Sequence, residues 1–518
     1  MKKFRYNISL VLLMTLLFAG CDYGLDISPT GSVTEEIYWQ RASDAQVAVN
    51  AVYAELDNLA MVKELDSITD IGFRAPTGPG TFHDVMTGNI VPSNGTITGI
   101  WNRYYRGIRK ANDVIVNIGQ VETGDEELLT RIEAEARFLR AYYYTQLTSL
   151  WGDVSLILEP LEINDHVGLT NKDEIVDFII QELDQIINSN SLPISYSGSN
   201  IGRATYGAAL ALKARVALRN ERWEIAKNAA QEVMDLGVYD LYPHYGDLFK
   251  HAGQNSSEVI FDRQYSSDGD TYNAFSYSAS SIGGNSVVEP INNFYEKFEF
   301  KGQRNPDNPY ENIDPRWDFT VFYTGQPIGN STYNSSPASN TLDRVGSTET
   351  STRHGYNLKK WIDYETDSGN PSLGSINMIL IRYADVLLMY AEAKIELGEI
   401  DSSVYEAINS VRQRPTVEME PITGSHTQDE LREILRNERV VEFGFEGLRL
   451  YDMNRWQLGE EKEGDVLGAH FQDENGQWYL YDMGYNRSFN PGRDYLWPIP
   501  QAEMNANDEI TQNNPGYN

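Results

Sequence analysis

Two irregular stretches of this chain combine aromatic rings with planar polar side chains. The first carries Asp70, Phe73, Arg74, Phe82 and His83 in a segment rich in Gly and Pro. The second carries Tyr272, Phe275 and Tyr277 in a Ser/Gly segment, with Arg353, Tyr356 and Trp361 further along the chain. A ring face can cover the apolar face of a pyranose or furanose, and planar polar groups can bond its adjacent hydroxyls. Irregular loops are where both features can meet solvent, so these side chains form the candidate ligand-binding set.

Catalytic chemistry finds little support. With 75 acidic residues, paired carboxylates are unavoidable, and their separation cannot be read from a sequence. The 7 histidines show no H-E-x-x-H or H-x-H spacing, and there is neither a G-x-S-x-G elbow nor a Walker loop. Asp268-Gly269-Asp270 lacks the remaining positions of an EF-hand loop and reads as a turn. The expectation is a binding protein, not an enzyme, with no metal and no cofactor.

The only cysteine, Cys21, follows Lys2, Lys3, Arg5 and an apolar run from Ile8 to Gly20. A basic start, an apolar core too short to stay as a span, and small residues before a cysteine read as a lipoprotein signal over residues 1–20. Cys21 is then the lipid-bearing N-terminus, no disulfide can form, and packing alone must hold the fold. The formal charge of −33 excludes nucleic acid as a partner and favours neutral ligands.

Helix dominates the elements that must position the loops. Ser43 and Gln46 have capping-box spacing, with Val47, Ala51 and Leu56 opening an apolar stripe. A helix through Trp101, Tyr104, Tyr105, Ile108 and Val114 to Ile118 follows the loop from Asp70 to Gly99. Glu133 to Trp151 repeats Ala134, Phe138 and Tyr142 at helical spacing before Gly152. Thr205 to Asn220 and Arg222 to Asp235 form adjoining helices, the first lined by Ala208, Ala211, Ala214 and Ala217. Their spacing is that of a tetratricopeptide unit, and Met378 to Leu397 with Ser402 to Arg412 suggests another. Between them, Tyr265 to Gly374 reads as loop-rich. Thr427 and Glu430 cap a helix to about Phe445, and Leu496 to Pro500 is an extended apolar tail. This gives a signal (1–20), an N-terminal helical region (21–264), a loop-rich insertion (265–375) and a C-terminal helical region (376–518). Arg137, Arg140, Arg382, Asp385, Glu392, Glu438 and Arg439 lie on helices with apolar faces and are expected in inter-helix ion pairs, with Trp101, Trp223 and Trp497 in the core.

Six strings, in order, resemble the SusD/RagB family of Bacteroidetes surface lipoproteins. They are Leu25 to Pro29 with Tyr38 and Trp39; Trp101-Asn102 with Ala111-Asn112; Glu135 to Tyr143 leading into Gly152-Asp153; Ile381 to Val386 with Tyr390 to Ala393; Glu438-Arg439 with Glu442-Phe443 and Glu446-Gly447; and Leu496 to Pro500. The resemblance implies an all-α, SusD-like fold with four tetratricopeptide-like helix pairs and an irregular loop-rich subdomain. It also implies attachment to the outer membrane through the N-terminal lipid, at the cell surface. The implied partner is a SusC-like TonB-dependent transporter, to which a captured oligosaccharide is delivered. Capture of a peptide by the same architecture, or a scaffold that binds only protein, are the alternatives.

Overall fold

The structure, a computed structural model, describes residues 38–122 and 125–517. Cys21 and the expected signal lie outside the described residues. Helix outweighs strand, 44% to 10%, and the strands are confined to two-stranded pairs. The first half supplies α1 (Ala42–Tyr53), α2 (Leu59–Ser67), β1 (Gly72–Arg74), α3 (Phe82–Met86), α4 (Gly95–Asn117) and α5 (Glu126–Trp151). After them come α6 (Lys172–Ser189), α7 (Tyr206–Arg219), α8 (Trp223–Asp235), β2 (Val259–Arg263), β3 (Val288–Pro290) and α9 (Pro315–Thr320). The C-terminal part holds β4 (Met378–Arg382), α10 (Tyr383–Glu396), α11 (Ser402–Arg412), α12 (Gln428–Phe443), α13 (Arg449–Arg455) and the hairpin β5 (Gly464–Gln472) and β6 (Trp478–Arg487).

The helices pack successively, α4 on α5, α5 on α6, α6 on α7 and α7 on α8, and α8 then meets α10, which carries α11 and α12. Small residues allow the close approach of α7 and α8, since Ala208, Ala211, Ala214 and Ala217 are all buried. The tail closes the far side: the Trp497 N–H donates to the Leu150 carbonyl at 2.8 Å, and the Trp151 indole donates to the Pro498 carbonyl at 2.9 Å. A second core gathers Ile71, Val288, Phe294, Trp317, Tyr356, Phe445 and Phe471, so the loop-rich segment packs against both earlier and later parts of the chain.

Several elements differ from the sequence reading. Val47 is 60% exposed, and Ala45, Val49 and Val52 form the buried stripe of α1 instead. The N-cap position of that helix is Arg41, whose backbone N–H donates to the Asp44 carboxylate at 3.0 Å, not Ser43 with Gln46. Met378 to Arg382 is a strand paired with β2, not the first turns of a helix. Its side chains are all buried, and a continuous apolar run of that length carries no period to separate strand from helix. The expected loop between Asp70 and Gly99 contains β1 and α3. Helix α6 and the β5–β6 hairpin are further elements of the structure.

The interior is threaded by ion pairs. Glu442, fully buried on α12, accepts from Arg382 at 2.7 Å, Arg414 at 2.9 Å and Arg316 at 3.0 Å. Arg382 also reaches Glu258 at 2.8 Å and Glu446 at 2.7 Å, while Glu438 links Arg316 at 2.5 Å to Arg412 at 2.9 Å. A second cluster joins helices directly: Asp385 of α10 holds Arg215 of α7 at 2.7 Å and Arg439 of α12 at 2.9 Å. Glu392 takes Arg455 at 2.5 Å, Arg137 pairs with Glu133 at 2.7 Å, and Arg140 pairs with Glu182. All the charges expected in ion pairs are therefore in them. Burial alone would raise the Glu442 and Asp385 carboxyls; the surrounding guanidiniums overcome it and hold both below their usual 4.5 and 3.8.

Because these carboxyls are depressed in the folded state, their stabilisation is complete above the unfolded values and is lost progressively as pH falls from there through the lower, folded ones. Melting temperature followed from pH 7 downward is expected to hold to about pH 5 and then fall steeply. Glu442→Ala leaves three guanidiniums short of an acceptor and should cost about 3–5 kcal/mol at pH 7 in denaturant melts. The Thr427 hydroxyl accepts from the Glu430 N–H while the Glu430 carboxylate accepts from the Thr427 N–H. Thr427→Ala is expected to cost only ~1 kcal/mol in the same melts.

Candidate ligand-binding site

The two stretches singled out in the sequence meet through one short ladder. β1 pairs antiparallel with β3, setting Gly72 against Pro290, Phe73 against Glu289 and Arg74 against Val288. Gly72 permits the close passage, since a Cβ there would lie 2.7 Å from the Asp66 carbonyl oxygen and from the Ser67 Cα. The buried Glu289 carboxylate then accepts from the Arg353 N–H at 2.9 Å, the His354 N–H at 2.9 Å and the Thr352 hydroxyl at 2.8 Å. The segment carrying Arg353 is thereby fastened behind Phe73.

Arg74 links the remaining parts. Its carbonyl lies 2.8 Å from His83 Nδ1, so that nitrogen donates, and in the Nδ1–H tautomer Nε2 is an acceptor. Its guanidinium lies 3.2 Å from Glu64 as an ionic contact without hydrogen-bond alignment. Glu64 in turn accepts from the Tyr277 hydroxyl at 2.9 Å. Lys63 sits 5.4 Å over the Tyr277 ring, and burial pushes its ammonium down to about 7. Tyr277 is itself raised, first by burial and then by the Glu64 charge. His83, Tyr277 and Arg353 are partly exposed.

Apart from Tyr272, which is partly exposed, the other expected contacts are packed inside. Asp70 is held bidentate by Arg449 at 2.7 and 2.8 Å; burial would raise it, but the guanidinium brings it below its usual range. Phe73 is fully buried between the rings of His354 at 4.2 Å and Tyr485 at 4.8 Å. Phe82 is buried near Trp497, and Phe275 is stacked on Tyr364 at 5.7 Å. Tyr356 bonds the Tyr310 hydroxyl at 3.1 Å, and the Trp361 indole donates to the Phe445 carbonyl at 3.1 Å. Tyr272 is engaged elsewhere, donating to the Ile376 carbonyl at 3.1 Å beside Tyr265. An aromatic residue in a Gly-rich loop still gains by leaving water, and here the loops fold onto the body to bury most of them. Glu64, Glu289, His354 and Tyr485 belong to the site and lie outside the residues singled out in sequence. Tyr485 follows Tyr479 and Tyr481 at the alternation of a strand, a signal that was available.

A cavity of about 640 Å³ lies elsewhere, lined by Gly152, Asp153, Lys172, Arg219, Tyr451 and Asn514 among others. The Arg219 guanidinium lies 3.8 Å over the Tyr451 ring, so that face is already covered. Stacking a sugar on that face requires displacing the arginine.

Comparison with known proteins places this architecture. Residues 257–517 match the model of the SusD family, and residues 30–218 match one described as starch-binding associating with outer membrane. SusD-like protein P2 of Formosa agariphila is 28% identical over 556 residues, covering 100% of both chains. A SusD-like carbohydrate binding protein from Bacteroides fragilis superposes with a TM-score of 0.84 at 28% identity, over 91% of this chain and 99% of that one. Surface glycan-binding protein A from Bacteroides thetaiotaomicron, solved with laminarihexaose, gives a TM-score of 0.68 at 22% identity over 91% of this chain and 99% of its own, a likeness of fold. With its helix pairs, closing tail and family match over half its length, this chain belongs to the SusD family.

Proposed function

We propose that this protein is a lipid-anchored, cell-surface glycan-binding protein that captures an oligosaccharide and delivers it to a SusC-like TonB-dependent transporter of the outer membrane. The observation that carries the reading is the surface over the β1–β3 ladder, where the partly exposed His83, Tyr277 and Arg353 are tied together through Arg74, Glu64 and Glu289. Tyr277 offers ring surface for the apolar face of a sugar, and His83 Nε2 and the guanidinium of Arg353 supply an acceptor and donors for adjacent hydroxyls. The carbohydrate-binding Bacteroides relative and the laminarihexaose complex support a glycan as ligand. The outer-membrane wording of the matching model supports the location, and no helix among the described residues is long and apolar enough to cross a membrane. Cys21 would carry the tether, which leaves the binding domain free in solution beside its transporter.

The charge of −33 directs selectivity towards neutral sugars, because an acidic polymer meets a repelling field on approach. Affinity is expected to be modest, since a few stacked rings and hydroxyl contacts leave little after ordering costs. Calorimetry of the chain lacking residues 1–21 against plant, host and microbial glycans tests the reading. A neutral oligosaccharide should bind, and Tyr277→Ala and His83→Ala should each weaken it by roughly fivefold to tenfold with melting temperature little changed. Indifference of both variants moves the site away from this surface.

A further inference from the structure

Resting on the reading that the chain binds a glycan, we propose a second saccharide site in the cavity between α8, α10, α12 and the end of α13. Trp223 supplies its stacking ring, and the paired side chains of Glu396 and Arg432 bond the hydroxyls of a neutral sugar.

The cavity encloses about 530 Å³, within the roughly 300–1,000 Å³ of small-ligand sites. Helical spacing brings its walls together. Asp429, Arg432, Glu433 and Arg436 recur at i, i+3, i+4 and i+7 and so share one face of α12, while Glu392 and Glu396 stand one turn apart on α10. Trp223 opens α8, and Arg455 and Trp456 lie at the end of α13. All of these line the cavity, and none belongs to the surface over the β1–β3 ladder.

Trp223, expected in the core from its sequence, is partly exposed at this cavity. Among the described residues its ring meets no other aromatic ring or cation, and its indole N–H donates to no acceptor. A large apolar ring left half-wet with a free donor is the form in which an indole covers the apolar face of a sugar and bonds an oxygen beside it. Trp456 is already engaged. Arg455 and Arg436 lie 4.4 and 5.0 Å from its ring centroid, and its N–H donates to Glu392 at 2.9 Å. It serves as a fixed wall, and stacking falls to Trp223.

The polar groups are held in place before any ligand arrives. Arg432 grips Glu396 through two bonds at 2.6 and 2.9 Å and reaches Asp429, and Arg455 holds Glu392 in the same two-pronged way at 2.5 and 2.7 Å. Each Glu396 oxygen accepts one bond, which leaves a lone pair on each for a hydroxyl. The Arg432 and Glu396 side chains keep 21% and 17% of their surface exposed, so a ligand in the cavity can reach them. Charge favours a neutral ligand. Arg432, Arg436 and Arg455 already stand where a cation would pair, and the further carboxylates Glu221 and Glu433 repel an anion.

The test uses the chain lacking residues 1–21 in affinity gels containing laminarin, xylan, arabinan, galactan, mannan or starch, followed by calorimetry with an oligosaccharide of whichever polymer retards it. Tyr277→Ala should leave a binding event that Trp223→Ala, added to it, removes. Trp223→Ala alone should weaken polymer binding by roughly fivefold to tenfold. If Trp223→Ala melts early, Trp223→Leu, which keeps an apolar side chain at the start of α8 but offers no flat face and no N–H, should show the same loss. Wild-type binding by both Trp223 variants, with Tyr277→Ala impaired, overturns the second site and leaves the first standing. Loss of all binding in Tyr277→Ala alone overturns it too. Loss in the Trp223 variants with Tyr277→Ala indifferent keeps the cavity and removes the surface over β1–β3. Failure of the wild type to bind any of these polymers removes both sites together.

Discussion

The structure depends on a carboxylate that water never reaches. Glu442 is surrounded by Arg382, Arg414 and Arg316, which arrive from a strand end, a loop after α11 and the short helix α9. Through Glu258, Glu438 and Glu446 the same arginines tie the helical stack to the loop-rich part of the chain. Such a cluster is weak evidence for net stability, because an apolar replacement of equal shape can do as well. It is strong evidence for geometry, since removing any one partner strands a buried charge. With a single cysteine the chain can form no internal disulfide, and this network fixes the register of its halves.

The network also shapes the outer surface. Of 42 basic side chains against 75 acidic, arginines and carboxylates are buried together, so most of the acidic excess stays on the solvent-facing surface. A surface of that kind leaves ring stacking and hydroxyl hydrogen bonds as the means of recognition. The candidate site is made in that way: Asp70 and Arg449 lock the segment before β1, Glu289 fastens the segment carrying Arg353, and the groups left partly exposed are His83, Tyr277 and Arg353. The buried members of the candidate set serve as the floor on which the exposed ones stand.

Much of the fold was legible in the sequence. The alanine row from Ala208 to Ala217, the Thr427–Glu430 cap and the helical spacing through Phe138 and Tyr142 each state one local structure, and the ordered strings named the family. Local pattern failed where two structures share it, as in the apolar run Met378 to Ile381, and where tertiary pairing created structure, as in β1 and β3, each only three residues long. Of the candidate site, the two neighbourhoods were legible and the exposures were not. Phe73, Phe275, Tyr356 and Trp361 have the composition of ligand contacts and the burial of core residues, a difference set by contacts distant in sequence. His354 and Glu289 carry no local signal, because their role exists only once the ladder has formed.

Hydrogen exchange measured with and without a bound glycan, on the chain lacking residues 1–21, examines the central claim most directly. The account predicts added protection in three separated stretches, 72–90, 277–290 and 350–354, because one ladder brings them to one site. Protection confined to the walls of the large cavity, around 149–153, 219–221 and 451–457, would contradict it.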